Sequence, residues 1–395
     1  MHIRPSHPKK TRPRPRPGLL HEYAERLAAF EYATAGHVKP HTLLFIPGLG
    51  DGLGTVAYLD DIAAALEHTE WSVFSPVLSS SYGGWGTSGL GRDIDEMALC
   101  LEYIMDHKRG AAESESESHS TASVSTGTGT GTATATSIET DTGNSSHPGK
   151  IVIMGHSTGS QDVLQYISSI NPRNPHPVLD RGGSAPPVLR PQVDGAIMQA
   201  PVSDRDAILT VLKEGNRRHT AEEMQSIYDH AIARAKKHTL EERDGLDTIV
   251  PLPYTASIGY PGNTAISSRR FLSLASPDSP RSPGEDDLFS SDLEDERLRK
   301  TFGMVHGRGV LRGAESLLVL YSGSDPSVPS HVDKEALLRR WRRVTDAERG
   351  IWHGESGIIA GASHTLEGPD QVEQRRILVH KLRVFLTDIE NDVPK

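Results

Sequence analysis

Ile151-Val152-Ile153-Met154-Gly155-His156-Ser157-Thr158-Gly159 is the stretch that decides the fold. A short apolar run breaks at a glycine, presents a serine and passes a second glycine. Gln161-Asp162-Val163-Leu164-Gln165-Tyr166-Ile167 follows at once with a helical pattern. A G-x-S-x-G between a strand and a helix is a nucleophile elbow: a strained turn that lifts the serine hydroxyl above the sheet edge. Its glycines are steric in origin, because strand and helix must pass close by. The same turn aims the backbone N–H of Thr158 at the space in front of Ser157.

Outward from the elbow, the chain alternates strand and helix patterns. His41-Thr42-Leu43-Leu44-Phe45-Ile46 reads as a buried strand and ends in Pro47-Gly48-Leu49-Gly50-Asp51-Gly52-Leu53-Gly54. A loop in this position donates a second N–H to a developing oxyanion, and the Leu49 amide is the candidate beside that of Thr158. A nucleotide phosphate loop is excluded, since no Gly-Lys-Ser/Thr follows and the spacing is not G-x-G-x-x-G. A helix over Tyr58 to His68, a strand at Trp71 to Val77 and an amphipathic helix over Asp93 to His107 come next. Between them, Ser80 to Ser88 carries Tyr82 and Trp85. With Asp51, these two aromatics are the candidate substrate contacts.

Two further strands end in polar residues suited to the serine. Ser316 to Tyr321 runs into Ser322-Gly323-Ser324-Asp325, and Gly357 to Ala360 runs into Gly361-Ala362-Ser363-His364. Ser157 needs a base to take its proton, His364 can take and return it, and Asp325 can hold the imidazole tautomer. The order Ser, Asp, His is that of α/β-hydrolases rather than of chymotrypsin or subtilisin types. Asp333, Asp370 and Asp204 are alternative acids, and His353 is an alternative base. The fold class is therefore α/β: an α/β-hydrolase fold with a mostly parallel, doubly wound sheet and a cap insertion.

The 395 residues carry a net charge of −10, and the strongly basic stretch is confined to the first 17 residues, among prolines. Residues 1–18 read as an extended, solvated arm, and 19–395 as the hydrolase domain. Residues 111–149, rich in Ser, Thr and Gly, read as a disordered insertion. Residues from about 203 to 312 lose the strand–helix alternation and read as a cap. The basic arm reads as a bland tail, so no nucleic-acid partner is expected, and no window approaches about 18 uninterrupted apolar residues, so no membrane partner is expected either. The opening segment lacks the apolar core of a secretory signal, so a cytoplasmic enzyme is expected. Cys100 is the sole cysteine, which rules out an intrachain disulfide and a cysteine-based metal site. His219, His230 and His238 lack metal-ligand spacing, so no metal is expected.

Six stretches together resemble a fungal and plant α/β-hydrolase family long filed as a domain of unknown function. They are Gly155 to Val163, Gly48 to Leu53, Ser81 to Gly86, Gln199 to Arg205, Arg270 to Leu274 and Asp286 to Leu293. The similarity runs from about Leu19 to the end, apart from the Ser/Thr/Gly insertion. In fungi that family includes intracellular siderophore esterases. The resemblance implies a serine ester hydrolase that cleaves fusarinine-type hydroxamate siderophore esters to release iron. It implies no cofactor, and iron would arrive only within the substrate. Two other readings use the same residues: a non-catalytic hydrolase scaffold binding a small ligand or partner, and an acyltransferase or peptidase.

Overall fold

In chain order the strands are β1 (Gly18–Ala24), β2 (Leu27–Tyr32), β3 (His41–Ile46), β4 (Trp71–Val77), β5 (Ile151–His156), β6 (Gly195–Gln199), β7 (Leu317–Ser322) and β8 (Gly357–Ile359). The computed structural model describes residues 15–33, 37–122, 149–174, 186–241 and 248–392. The eight strands form one sheet in the order β1-β2-β4-β3-β5-β6-β7-β8. β1, β2 and β4 pair antiparallel, and every pairing from β4 through β8 is parallel. The chain leaves β3 for β4 on one side and returns to β5 on the other. The carboxyl ends of β3 and β5 therefore flank the point where strand order reverses, the place where open α/β sheets bind ligands. Ile46 pairs with Gly155, which sets the Pro47-Gly48 exit beside Ser157.

The helices are α1 (Tyr58–Leu66), α2 (Leu90–Ala122), α3 (Gly159–Ser168), α4 (Asp204–Glu214), α5 (Ala221–Glu241), α6 (Leu252–Ile258), α7 (Ser268–Ala275), α8 (Asp295–Lys300), α9 (Lys334–Thr345) and α10 (Val372–Asn391). Period-2 alternation divides the core between the two faces of the sheet. Leu44, Ile46 and Ile153 join Ile94, Leu101, Val163 and Trp341 on the face of α2, α3 and α9. Leu43, Phe45, Val152 and Met154 join Ile62, Leu382 and Phe385 on the face of α1 and α10. All six residues of β5 are buried, as in a strand covered on both faces. Cys100 is buried in the first of these cores, and burial pushes its thiol pKa well up.

Several boundaries differ from the sequence reading. Residues 15–18 are not a free arm, because Arg16 makes a bidentate pair with Asp60 of α1 at 2.6 and 2.8 Å, and Gly18 already opens β1. The residues before them lie outside the described residues. The helix expected over Asp93 to His107 continues to Ala122. The first part of the expected 111–149 insertion is thus helical, and 123–148 lie outside the described residues. The cap also ends earlier than 312. α4 to α7 build their own apolar cluster from Ile208, Met224, Ala231, Ile258 and Phe271. Leu288, Phe289, Leu298, Phe302 and Val310 return to the main core. Phe302 stacks on Trp341 at 5.1 Å and Phe289 lies 5.4 Å from it. Among the described residues, no helix is long and apolar enough to cross a membrane.

Candidate active site

Ser157 adopts φ 56°, the left-handed conformation of a strained turn. The elbow depends on two glycines for space. A Cβ at Gly155 would lie 2.1 Å from the Gly159 carbonyl oxygen, and one at Gly159 would lie 2.4 Å from that of Ile46 and 2.8 Å from that of Pro47. These neighbours are backbone and cannot turn aside. Gly159→Ala is expected to cost about 3 kcal/mol or more, because α3 must move off β3. A fall in the urea midpoint with an unchanged slope checks this, and a midpoint equal to wild type contradicts it.

Ser157, Asp325 and His364 meet above the carboxyl ends of β5, β7 and β8. Asp325 Oδ2 accepts the Nδ1–H of His364 at 2.6 Å, and the Ser157 hydroxyl donates to His364 Nε2 at 2.8 Å. The tautomer follows from the carboxylate. Burial alone would raise the Asp325 pKa, but the charge and hydrogen bond of His364 and the Ser327 N–H at 2.8 Å bring it below the usual value. An ionised Asp325 only accepts, so the imidazole proton sits on Nδ1. Burial lowers the His364 pKa, and Asp325, with smaller help from Asp51 and Asp204, outweighs that and leaves it raised. Two loop contacts hold acid and base together: Gly323 N to Ile359 O at 3.0 Å and Ser324 N to Ala362 O at 2.8 Å. Lys334 Nζ adds a bond to the Gly323 carbonyl at 2.5 Å.

Leu49 and Thr158 line one small cavity of about 20 Å³, shared with Gly48, Ser80, Trp85, Asp162 and Arg270. Among the described residues, neither amide donates to a protein acceptor. Gly48 lies against the serine, since a Cβ there would be 2.9 Å from that of Ser157. The three candidate substrate contacts separate. Tyr82 is half-exposed with φ 57°, and its N–H donates to the Asp51 carbonyl at 2.7 Å. Asp51 is near enough for its charge to raise the His364 pKa. Trp85 is buried, packed 5.3 Å from Tyr260 within the cap's apolar cluster, and also lines the small cavity. Of the alternatives, Asp204 is near enough for its charge to raise the His364 pKa, and the other three fall elsewhere. His353 pairs with Asp388 on α10 at 3.1 Å, Asp333 caps α9, and Asp370 bonds Gln371. His219, His230 and His238 take separate local partners on the cap.

The family described as protein of unknown function DUF1749 matches residues 10–132 and 132–387. The chain belongs to the DUF1749 family. Esterase AN6793 of Emericella nidulans is 65% identical over 99% of this chain and 97% of its own length. Fusarinine C esterase sidJ of Aspergillus fumigatus is 48% identical over 94% and 96%. The solved siderophore hydrolase EstB from Aspergillus fumigatus superposes with a TM-score of 0.76 at 46% identity, covering 96% of this chain and 99% of that one. An alpha/beta hydrolase fold protein of unknown function, at 13% identity and a TM-score of 0.51, shares the fold.

Sequence reasoning missed the support beneath the elbow in this DUF1749 chain. The Gln199 backbone carbonyl accepts the Ser157 N–H at 2.9 Å. Its side-chain Oε1 accepts from His156 Nδ1 at 2.6 Å and from the Tyr58 hydroxyl at 2.9 Å. Burial, then the nearby His364 charge, pushes the His156 pKa to about 3. His156 therefore stays neutral 5.1 Å from the His364 ring. The signal was a lone amide ending the apolar run of β6. Behind the small cavity, Arg270 bonds Asp286 and the Trp85 carbonyl, while Asp93, Asp162 and Asp204 also face its charge. Burial raises the pKa of Asp93 and Asp162, and raises Asp204 to about 6. This network ties the cap to the sheet.

Proposed function

We propose that this chain is a cytoplasmic serine ester hydrolase acting on hydroxamate siderophore esters of the fusarinine type. The observation that carries the reading is the continuous hydrogen-bond chain from Asp325 through His364 to Ser157. The relatives named as fusarinine C esterase and siderophore hydrolase support the substrate class. In this mechanism Ser157 Oγ attacks the ester carbonyl carbon while His364 Nε2 takes its proton. The carbonyl electron pair moves to oxygen, which faces the Leu49 and Thr158 amides. As the C–O bond breaks, His364 returns the proton to the leaving alcohol. Water then attacks the acyl-Ser157 ester with His364 again as base, which frees the acid and restores the serine. Asp325 stabilises the imidazolium in both halves. Asp51 and Tyr82 contact the substrate at the mouth, and Trp85 braces the cap above it. Iron enters and leaves as part of the substrate.

The test uses iron-loaded and iron-free fusarinine-type esters, with product masses read in the presence and absence of added methanol. The expected products are free hydroxamate acid and alcohol. No turnover by protein that a fluorophosphonate labels at Ser157 removes the siderophore class and keeps the serine hydrolase. Predominant methyl ester, with little free acid, replaces hydrolysis by transfer.

A further inference from the structure

A second group of titratable side chains converges at the antiparallel edge of the sheet, three strands away from β5. His21 on β1 and Glu31 on β2 are both 6% exposed, and His107 on α2 is half-buried. One ligating atom from each lies within 4.8 Å of the other two. His21 uses its two nitrogens differently. Nδ1 lies 3.1 Å from the Tyr103 hydroxyl, and Nε2 faces Glu31 Oε2 at 3.3 Å. That spacing is long for a charge-assisted hydrogen bond, which runs about 2.7–2.9 Å. It matches two ligands of one tetrahedral ion, which at about 2.1 Å from the metal stand about 3.4 Å apart. A histidine whose far nitrogen is held by a hydrogen-bonding partner has its ring orientation fixed, as metal-bound histidines do. Tyr103 also stacks on His107, one turn further along α2, with an interplanar angle of 1°. One tyrosine thus orients both imidazoles.

We propose that His21, Glu31 and His107 form a site for a divalent transition metal, taking Zn²⁺ with water in the remaining position. Two imidazoles and one carboxylate are a zinc donor set with an open place. Tetrahedral ligands of one zinc stand about 3.4 Å apart, so an atom pair wider than that must draw in by at most about 1.4 Å on binding. His107 is exposed enough to make that shift and to admit the ion. Lys108, the next residue, directs its ammonium to the His41 carbonyl at 2.7 Å and Ser72 Oγ at 2.8 Å. The bound ion would clip the β1–β2 hairpin, which reaches the rest of the sheet only through the β2–β4 pairing, to α2. No residue spacing marks this group along the chain, because the three side chains lie on three elements.

The experiment uses the full chain without a polyhistidine tag, stripped with a chelator, loaded with zinc sulfate and passed over a desalting column. Wild type is expected to retain one zinc per chain by elemental analysis and to melt at a higher temperature with zinc than without. His107→Ala is expected to lose both the retained zinc and the rise, with its metal-free melting temperature close to wild type. Glu31→Gln serves the same purpose should that variant fail to fold. Wild type holding no more zinc than an unrelated control protein overturns the site, as does either folded variant retaining zinc like wild type.

Discussion

Ser157→Ala is expected to lower kcat/KM for ester hydrolysis by about five to six orders of magnitude while leaving the fold intact. In the proposed mechanism the hydroxyl is the atom that forms the acyl bond, so its removal leaves only water as the attacking group. What survives would come from the Leu49 and Thr158 amides and from binding, which alone give a residual effect over water. Alanine keeps the elbow, since the 56° φ is enforced by the Gln199 carbonyl on the Ser157 N–H and by the glycines on either side. The melting temperature should therefore stay near that of wild type. The measurement is steady-state hydrolysis by both proteins, with fluorophosphonate labelling in parallel. Equal rates in the two would remove the acyl-enzyme and return the chain to the class of non-catalytic hydrolase scaffolds.

Much of this site could be read before any coordinate, and the reason is local. The elbow has a steric requirement that only glycine meets, so its signature is written into five consecutive residues. The candidate oxyanion loop, acid and base follow because each ends an apolar strand, and parallel strands deliver their carboxyl ends to one edge. Features that depend on partners distant in sequence were not legible. Asp286, Asp287 and Ser290 look like surface residues in a Pro/Ser/Asp-rich stretch, yet they are buried. Arg270 bonds one carboxylate oxygen of Asp286, and Ser203 bonds Ser290. That is why composition extends the cap to 312 although Leu288 to Val310 rejoin the core. Trp85 illustrates the same limit. An aromatic in a glycine-rich loop reads equally as pocket wall or plug, and only Tyr260 and the cap cluster decide for burial. Gln199 carried a faint signal as a polar residue ending β6, but its task under Ser157 depends on His156 and Tyr58.

Asp325→Asn separates the electrostatic role of the acid from its place in the fold. The asparagine can keep the Ser327 N–H bond through its carbonyl oxygen, so the loop after β7 should hold its shape. Toward His364 it then presents an N–H in place of an acceptor. The imidazole must answer with a bare Nδ1, which moves its proton to Nε2, the atom that has to accept the Ser157 proton. The expected loss in kcat is about 10⁴-fold. The pH profile supplies a second readout with a definite sign. In wild type the His364 pKa is raised, because Asp325 outweighs burial, so hydrolysis should fall away as the pH drops through a value above about 6.5. Removing the carboxylate leaves burial as the larger influence, opposed only by the weaker pull of Asp51 and Asp204. The acid limb of the residual activity should therefore move to lower pH than in wild type. A variant that keeps its rate, or loses it with the acid limb unmoved, would show that Asp325 does not set the charge or tautomer of His364.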